Sequence, residues 1–220
     1  MNAIGLFGGT FDPVHYGHLR TGFELMQALG LEEMRFIPAG RPPHRDQPLA
    51  DAALRLAMVR AAIAGQPGFT VDDREVRRDG PSYAVLTLEE LKSEAPARRL
   101  CLAVGMDAFL GLDRWHRWRD VLGLAHVVVA HRPGWRAPSD GTLGELLSAC
   151  GTRDPARLAA ADAGLVYVHA VTQLEISSTD LRNIVTGGRD PRYLVPDEVR
   201  EARPSPRPWG RSPSSPRIWV

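Results

Sequence analysis

The strongest constraint on the fold is an alternation of two patterns. Short apolar runs recur along the chain, at Ala3 to Phe7, Met34 to Pro38, Arg99 to Gly105, His126 to Arg132 and Leu165 to His169, and "FTVDD" (Phe69 to Asp73) is a further strand-like stretch. Short runs that are apolar on successive residues suit parallel strands covered on both faces. Between them the spacing is helical. From Gly17, the residues Leu19, Phe23, Met26 and Leu29 keep a 3.6-residue period, and Gly30 is placed to end that helix in a left-handed cap. Asp51 can cap a second helix with Leu54, Met58 and Ala61 on one face, stopped by Gly65, and Ser82 to Ala95 reads as a third. Strands alternating with helices predict an α/β fold, a doubly wound (Rossmann-like) parallel sheet with right-handed crossovers and helices on both faces. In such a sheet a ligand lies beyond the carboxyl ends of the strands, where strand order reverses. No internal repeat is visible.

The first run leads into "GLFGGTFDPVHYGHLR", Gly5 to Arg20. Gly8 and Gly9 lack a Cβ and tolerate positive φ, so an adenine or a phosphate can approach the main chain there. The stretch has no Gly-Lys-Ser/Thr and does not fit G-x-G-x-x-G, which excludes a P-loop and the dinucleotide fingerprint. His18 follows His15 by three residues. With His18 in the first helical turn, both imidazoles lie on one face of a helix N-terminus, where unpaired amides and the dipole already favour an anion. A metal reading is weaker, because no third ligand is spaced nearby.

A chain of 220 residues, 44% hydrophobic and 24% charged, supports one sizeable domain and is too apolar for wholesale disorder. No run reaches the roughly 18 apolar residues of a membrane span. The N-terminus enters the glycine loop with no basic segment, apolar stretch and cleavage site before it, so a cytoplasmic location is expected. Cys101 and Cys150 are far apart and form no CxxC pair, which speaks against a disulfide framework or a thiolate zinc site. Lys92 is the only lysine, so arginine is the default basic residue and individual arginines need positional arguments.

Residues 203–220 carry four arginines, five prolines, four serines and no acid. A chain of net charge +1 therefore leaves −3 on residues 1–202, which is no surface for a polyanion. The expected organisation is a domain over 1–202 and a disordered Pro/Arg/Ser-rich tail over 203–220.

The string "GGTFDPVHYGH" resembles the first motif of the nucleotidyltransferase superfamily, and "ISSTDLRN" (Ile176 to Asn183) resembles its late I-S-S-T-x-x-R motif. Ser177, Ser178 and Thr179 would start a helix running to Gly187 and Gly188, with Arg182 one turn in, aimed at an anion. Between the motifs, "PPHR" (Pro42 to Arg45), "RRDGPSYAVLTL" (Arg77 to Leu88), "VGMDAF" (Val104 to Phe109), "WHRW" (Trp115 to Trp118) and "AHRPGW" (Ala130 to Trp135) narrow the resemblance to the bacterial nicotinate mononucleotide adenylyltransferases, over roughly residues 3 to 202.

That resemblance implies an enzyme of NAD biosynthesis that moves the adenylyl group of ATP to nicotinate mononucleotide. It implies catalytic roles for His15, His18 and Arg182, and ATP binding by Phe7, Gly8, Gly9, Thr10, Gly105, Asp107, Arg132, Ile176, Ser177 and Ser178. Acceptor binding would fall to His44, Tyr83, Ala84, Trp115 and His116, with Trp115 stacked on the pyridine ring and arginine forks on phosphate. Mg²⁺ would arrive with ATP, with no metal ligated by the protein. The partners expected are these two nucleotides, with no nucleic acid and no membrane; a homo-oligomer stays open. The family usually reads P-S-Y-T where Ala84 follows Tyr83 here, and Leu86 stands where a polar residue is common. Recognition of the acceptor carboxylate would then rest on backbone amides around Trp115 and His116. A nicotinamide mononucleotide acceptor, a phosphopantetheine acceptor and a non-catalytic nucleotide sensor remain alternatives. The Trp115 to Trp118 region disfavours the second, and the retained His15, His18 and Arg182 disfavour the third.

Overall fold

In the computed structural model, which describes residues 3–43, 48–131, 138–172 and 174–202, the alternation becomes one parallel sheet. The strands are β1 (Ala3–Gly9), β2 (Glu33–Pro38), β3 (Phe69–Val71), β4 (Arg99–Gly105), β5 (His126–His131), β6 (Gly151–Thr152) and β7 (Val166–Ala170). The helices are α1 (Tyr16–Leu29), α2 (Ala52–Ile63), α3 (Arg74–Arg77), α4 (Ala84–Glu94), α5 (Met106–Phe109), α6 (Trp118–Leu124), α7 (Gly141–Cys150), α8 (Pro155–Ala160), α9 (Ser178–Thr186) and α10 (Asp197–Glu201). Strand order is β3-β2-β1-β4-β5-β7-β6, with every pair parallel. From β1 the chain winds outward through β2 and β3, and from β4 it winds the other way. The reversal therefore falls between β1 and β4, whose carboxyl ends carry Gly8, Gly9 and Gly105.

The apolar runs are continuous because both faces of the sheet are covered. Along β4, Cys101 and Ala103 pack on the side of α1 and α2, while Leu100, Leu102 and Val104 pack on the side of α4 and α6. Burying side chains of this size stabilises by about 1.5–3 kcal/mol each. Gly22 lets α1 sit close on the sheet, since a Cβ there would stand 2.9 Å from the Phe36 ring. Gly30 ends α1 at φ 56°, the left-handed cap read from the sequence. Asp51 caps α2 by accepting from the Leu54 amide, also as read.

Other readings shift. β1 runs two residues further than Phe7, and α4 begins at Ala84 rather than Ser82 because the Ser82 side chain is engaged with the loop after β2. The buried face of α2 is Arg55, Leu56, Met58, Val59 and Ile63, not the stripe of Leu54, Met58 and Ala61. The α3, α5 to α8 and α10 helices and β6 had no counterpart in the sequence reading, being mostly too short to show a period. The two cysteines are free, with Cys101 buried. Among the described residues no helix is long and apolar enough to cross a membrane. His44, Arg132 and the 203–220 tail lie outside the described residues.

Candidate active site

Two cavities open at the reversal point. The larger, about 830 Å³, lies between the β1 end and the start of α9. Phe7, Gly8, Gly9 and Thr10 form one side, Gly105 and Asp107 the middle, and Ile176, Ser177, Ser178 and Arg182 the other side. His15 and His18 project from the start of α1. The smaller, about 350 Å³, is walled by Tyr83, Ala84, Trp115 and His116. Gly8, Gly9, Thr10, Asp107 and Ala108 line both, so the two spaces meet over the β1 loop. Every sequence-predicted site residue that is described falls on one cavity or the other.

Of the two properties expected of the glycines, the structure uses the missing Cβ and not the positive φ. Gly8 and Gly9 lie in β1, and neither takes positive φ. What they supply is room: a Cβ on Gly9 would touch the Phe11 ring at 3.0 Å, and one on Gly8 would point into open space. The left-handed residue of this loop is Phe11, at φ 50° with its ring buried. The following Asp12–Pro13 peptide bond is cis.

The histidine rings stack with centroids 3.7 Å apart. The His15 amide donates to Nδ1 of His18 at 3.3 Å. A nitrogen that accepts carries no hydrogen, so the His18 ring hydrogen sits on Nε2. Phe11 meets the His18 ring edge-on at 5.1 Å and Phe7 does so at 6.2 Å, which fixes the plane of the imidazole.

The late motif is bolted to the first. Ser177 caps α9, accepting from the Asp180 amide at 3.0 Å, and Ser178 Oγ donates to the Pro13 carbonyl at 3.0 Å. Arg182 donates to the Asp12 carbonyl at 2.7 Å and to Thr179 Oγ1 at 3.1 Å. The Asp12 carboxylate in turn accepts the amides of Leu49 and Ala50 at 2.9 and 3.2 Å. Two helix N-termini, two imidazoles and a guanidinium thus converge on one cavity, an arrangement suited to a polyphosphate.

At the smaller cavity Tyr83 stacks on His116, centroids 4.5 Å apart, and Trp115 packs against the apolar layer beneath α4 and α6. Tyr83 is the residue before α4 and makes no side-chain cap; the Leu86 amide turns back to the Tyr83 carbonyl at 3.1 Å, and Ala84 is the first-turn residue that lines the cavity. Trp118 is half-buried with the Arg119 guanidinium 4.5 Å above its ring. Among the described residues no group of three or more His, Cys, Asp or Glu is placed to hold a metal ion.

Sequence reasoning missed four residues of the site's frame. Asp12 was read only as part of a motif. Arg55 is 1% exposed and donates to the carbonyls of Thr10, Gly40 and Ala50; an arginine four residues before Val59 on an apolar helix face was the signal available. Glu75 and Thr87 form a buried pair below the smaller cavity, and nothing local in the sequence marks them.

The comparisons agree with this geometry. The Cytidylyltransferase-like family matches residues 6–184. A protein of Acidithiobacillus ferrooxidans named as a probable nicotinate-nucleotide adenylyltransferase is 48% identical over 195 residues, covering 88% of this chain and 89% of its own. One of Dechloromonas aromatica with the same name is 49% identical, covering 89% and 92%. Among solved structures, the Plasmodium falciparum nicotinic acid mononucleotide adenylyltransferase complexed with NaAD shares the fold, with TM-score 0.68 at 14% identity over 91% of this chain and 93% of that one. With both motifs lying on one cavity and relatives this similar over nearly their whole length, the chain belongs to the Cytidylyltransferase-like family and, within it, to the nicotinate-nucleotide adenylyltransferases.

Proposed function

We propose that this chain transfers the adenylyl group of ATP to nicotinate mononucleotide, giving nicotinate adenine dinucleotide and pyrophosphate in NAD biosynthesis. The observation that carries the reading is the junction of the two cavities over Gly8, Gly9, Thr10 and Asp107, which brings a polyphosphate space and an aromatic-walled space into contact. An oxygen of the acceptor 5′-phosphate attacks the α-phosphorus of ATP in line. The bond from that phosphorus to the α,β-bridging oxygen breaks, and the electron pair leaves with pyrophosphate. The acceptor is itself the nucleophile, so the protein has to align two anions and offset the charge building on the leaving group.

His18 presents its Nε2 hydrogen to a phosphate oxygen, with His15 stacked behind it holding the ring. Arg182, Ser177 and Ser178 hold the leaving pyrophosphate at the start of α9. Gly105 and Asp107 lie at the nucleotide centre. Mg²⁺ arriving with ATP would neutralise phosphate charge; the exposed Asp107 carboxylate, on both cavities, would face its water shell without ligating it. In the smaller cavity Trp115 stacks on the pyridine ring, and the backbone amide of Ala84, at the start of α4, takes the nicotinate carboxylate in place of the hydroxyl that Ala84 lacks.

The test is pyrophosphate release with ATP and Mg²⁺, comparing nicotinate with nicotinamide mononucleotide. A strong preference for the acid supports the reading. Preference for the amide would reassign the acceptor, and release with neither would leave a nucleotide-binding protein without turnover.

A further inference from the structure

The floor of the smaller cavity contains a hydrogen-bonded block that the reaction does not use. Glu75, on α3, is 7% exposed and sits beneath the space assigned to the acceptor. Its Oε1 accepts from Thr87 Oγ1 at 2.6 Å, and its carboxyl is also hydrogen-bonded to Ser82. The two hydroxyls are used completely. Thr87 Oγ1 gives its one hydrogen to Glu75 and accepts from both terminal nitrogens of Arg78 at 3.2 Å. Ser82 Oγ accepts the amides of Gly40 and Arg41 at 2.9 and 3.2 Å, so its one hydrogen is left for Glu75. The Ser82 amide donates back to the Arg41 carbonyl at 2.9 Å. Gly40 lies so close to α3 that an added Cβ would collide with the Glu75 carbonyl oxygen.

These contacts join three segments that otherwise share no strand or helix: the loop after β2 that leads to Pro42 and Pro43, the α3 turn, and the start of α4. The first and third face each other across the cavity. We propose that Glu75 is a positioning residue for the acceptor site, setting the gap between the Pro42–Pro43 loop and the first turn of α4 through the hydroxyls of Ser82 and Thr87. This rests on the assignment of the smaller cavity to the mononucleotide acceptor. Burial pushes the Glu75 carboxyl above the ordinary range, against the pull of the two hydroxyls and of Arg78, while Asp72 adds to the rise. The block thus holds a buried acid in place by two hydroxyl hydrogen bonds. A glutamine cannot substitute: its NH₂ would face a hydroxyl whose lone pairs are already filled, so one of the two arms must open.

The experiment is steady-state pyrophosphate release by the full chain and by Glu75→Gln, Thr87→Val and Thr87→Ser, with each substrate varied in turn and melting curves recorded alongside. Expected for Glu75→Gln and Thr87→Val is a rise of about tenfold in KM for the mononucleotide, from one buried hydrogen bond left unmade. KM for ATP and kcat at saturating acceptor stay within about twofold of the parent, the signature of an effect confined to acceptor binding. Thr87→Ser, which keeps the hydroxyl, restores the parent KM; should Glu75→Gln not fold, the Thr87 pair carries the test. An acceptor KM unchanged in the folded variants, or both KM values rising together, overturns the proposal and leaves the block as scaffold. A parent enzyme active with neither mononucleotide overturns the functional reading itself, and the proposal with it.

Discussion

Replacing Arg55 by leucine tests how the nucleotide loop is held. The guanidinium lies on the buried face of α2 and donates Nε to Ala50 at 3.2 Å, one terminal nitrogen to Thr10 at 2.6 Å and the other to Gly40 at 3.2 Å, all carbonyl oxygens. Burial pushes its pKa below the ordinary arginine range, opposed by the charges of Asp12 and Asp51. Three bonds from a charged donor are worth about 1.5–3 kcal/mol each, about 4.5 to 9 kcal/mol together. Against this stands the desolvation of a cation that is 1% exposed, several kcal/mol, which leucine would recover. The expected net loss is about 3 kcal/mol. For a domain of this size that lowers Tm by roughly 6–12 °C, at about 2–4 °C per kcal/mol. Arg55→Lys should rescue little, because an ammonium cannot span three carbonyls in a planar fork. The assay is thermal unfolding followed by far-UV circular dichroism, repeated as a urea titration. A Tm within about 2 °C of the parent would show that the three carbonyls find other partners and that Arg55 is not what ties Thr10 to Gly40.

His18→Ala should lower kcat by on the order of 10²-fold, as removal of a transition-state donor does elsewhere, in an assay of pyrophosphate release; an unchanged kcat would take His18 out of the mechanism. Ala84→Thr restores a hydroxyl at the start of α4, and competition between the two mononucleotides should show the acid-over-amide ratio rising about three- to tenfold. His126 is fully buried between the Ala161 carbonyl and the Leu165 amide, and desolvation lowers its pKa below 6.5. The unfolded chain therefore takes the proton first as pH falls. Its contribution to stability is complete above pH 6.5 and is lost on acidification below it, and urea midpoints across that range should show His126→Asn flattening the slope. Burial pushes the Cys101 thiol up to about 12 while Cys150 is half-buried, so a thiol reagent at neutral pH should label Cys150 and spare Cys101 until the protein unfolds.

How much of this could be read in one dimension depends on the range of the interaction. The span of α1, the left-handed Gly30, the Asp51 cap and the Ser177 cap were legible because each is decided within a few residues. His15 and His18 could be named from their spacing at a helix start and Arg182 from the late motif, and all three line the larger cavity. Asp12 and Arg182 are 170 residues apart, and no periodicity reports that the guanidinium of one donates to the carbonyl of the other. The same holds for Ser82 on Gly40 and for Arg55 on Thr10. Gly8 and Gly9 were picked out for a missing Cβ and a tolerance of positive φ; only the first is used, and the packed Phe11 ring shows what it makes room for at Gly9.

The sequence by itself determined the layered α/β architecture, since runs apolar on both faces can be buried only in a sheet covered on both sides, and it determined that its two motifs each open a helix. The tertiary structure alone decided that those starts face one cavity, that a second cavity meets the first over the β1 loop, and which buried polar groups hold the rims apart. Local propensity and spacing act along the chain, whereas a donor's partner and the width of a cleft are set by elements that meet only once the sheet has closed its strand order.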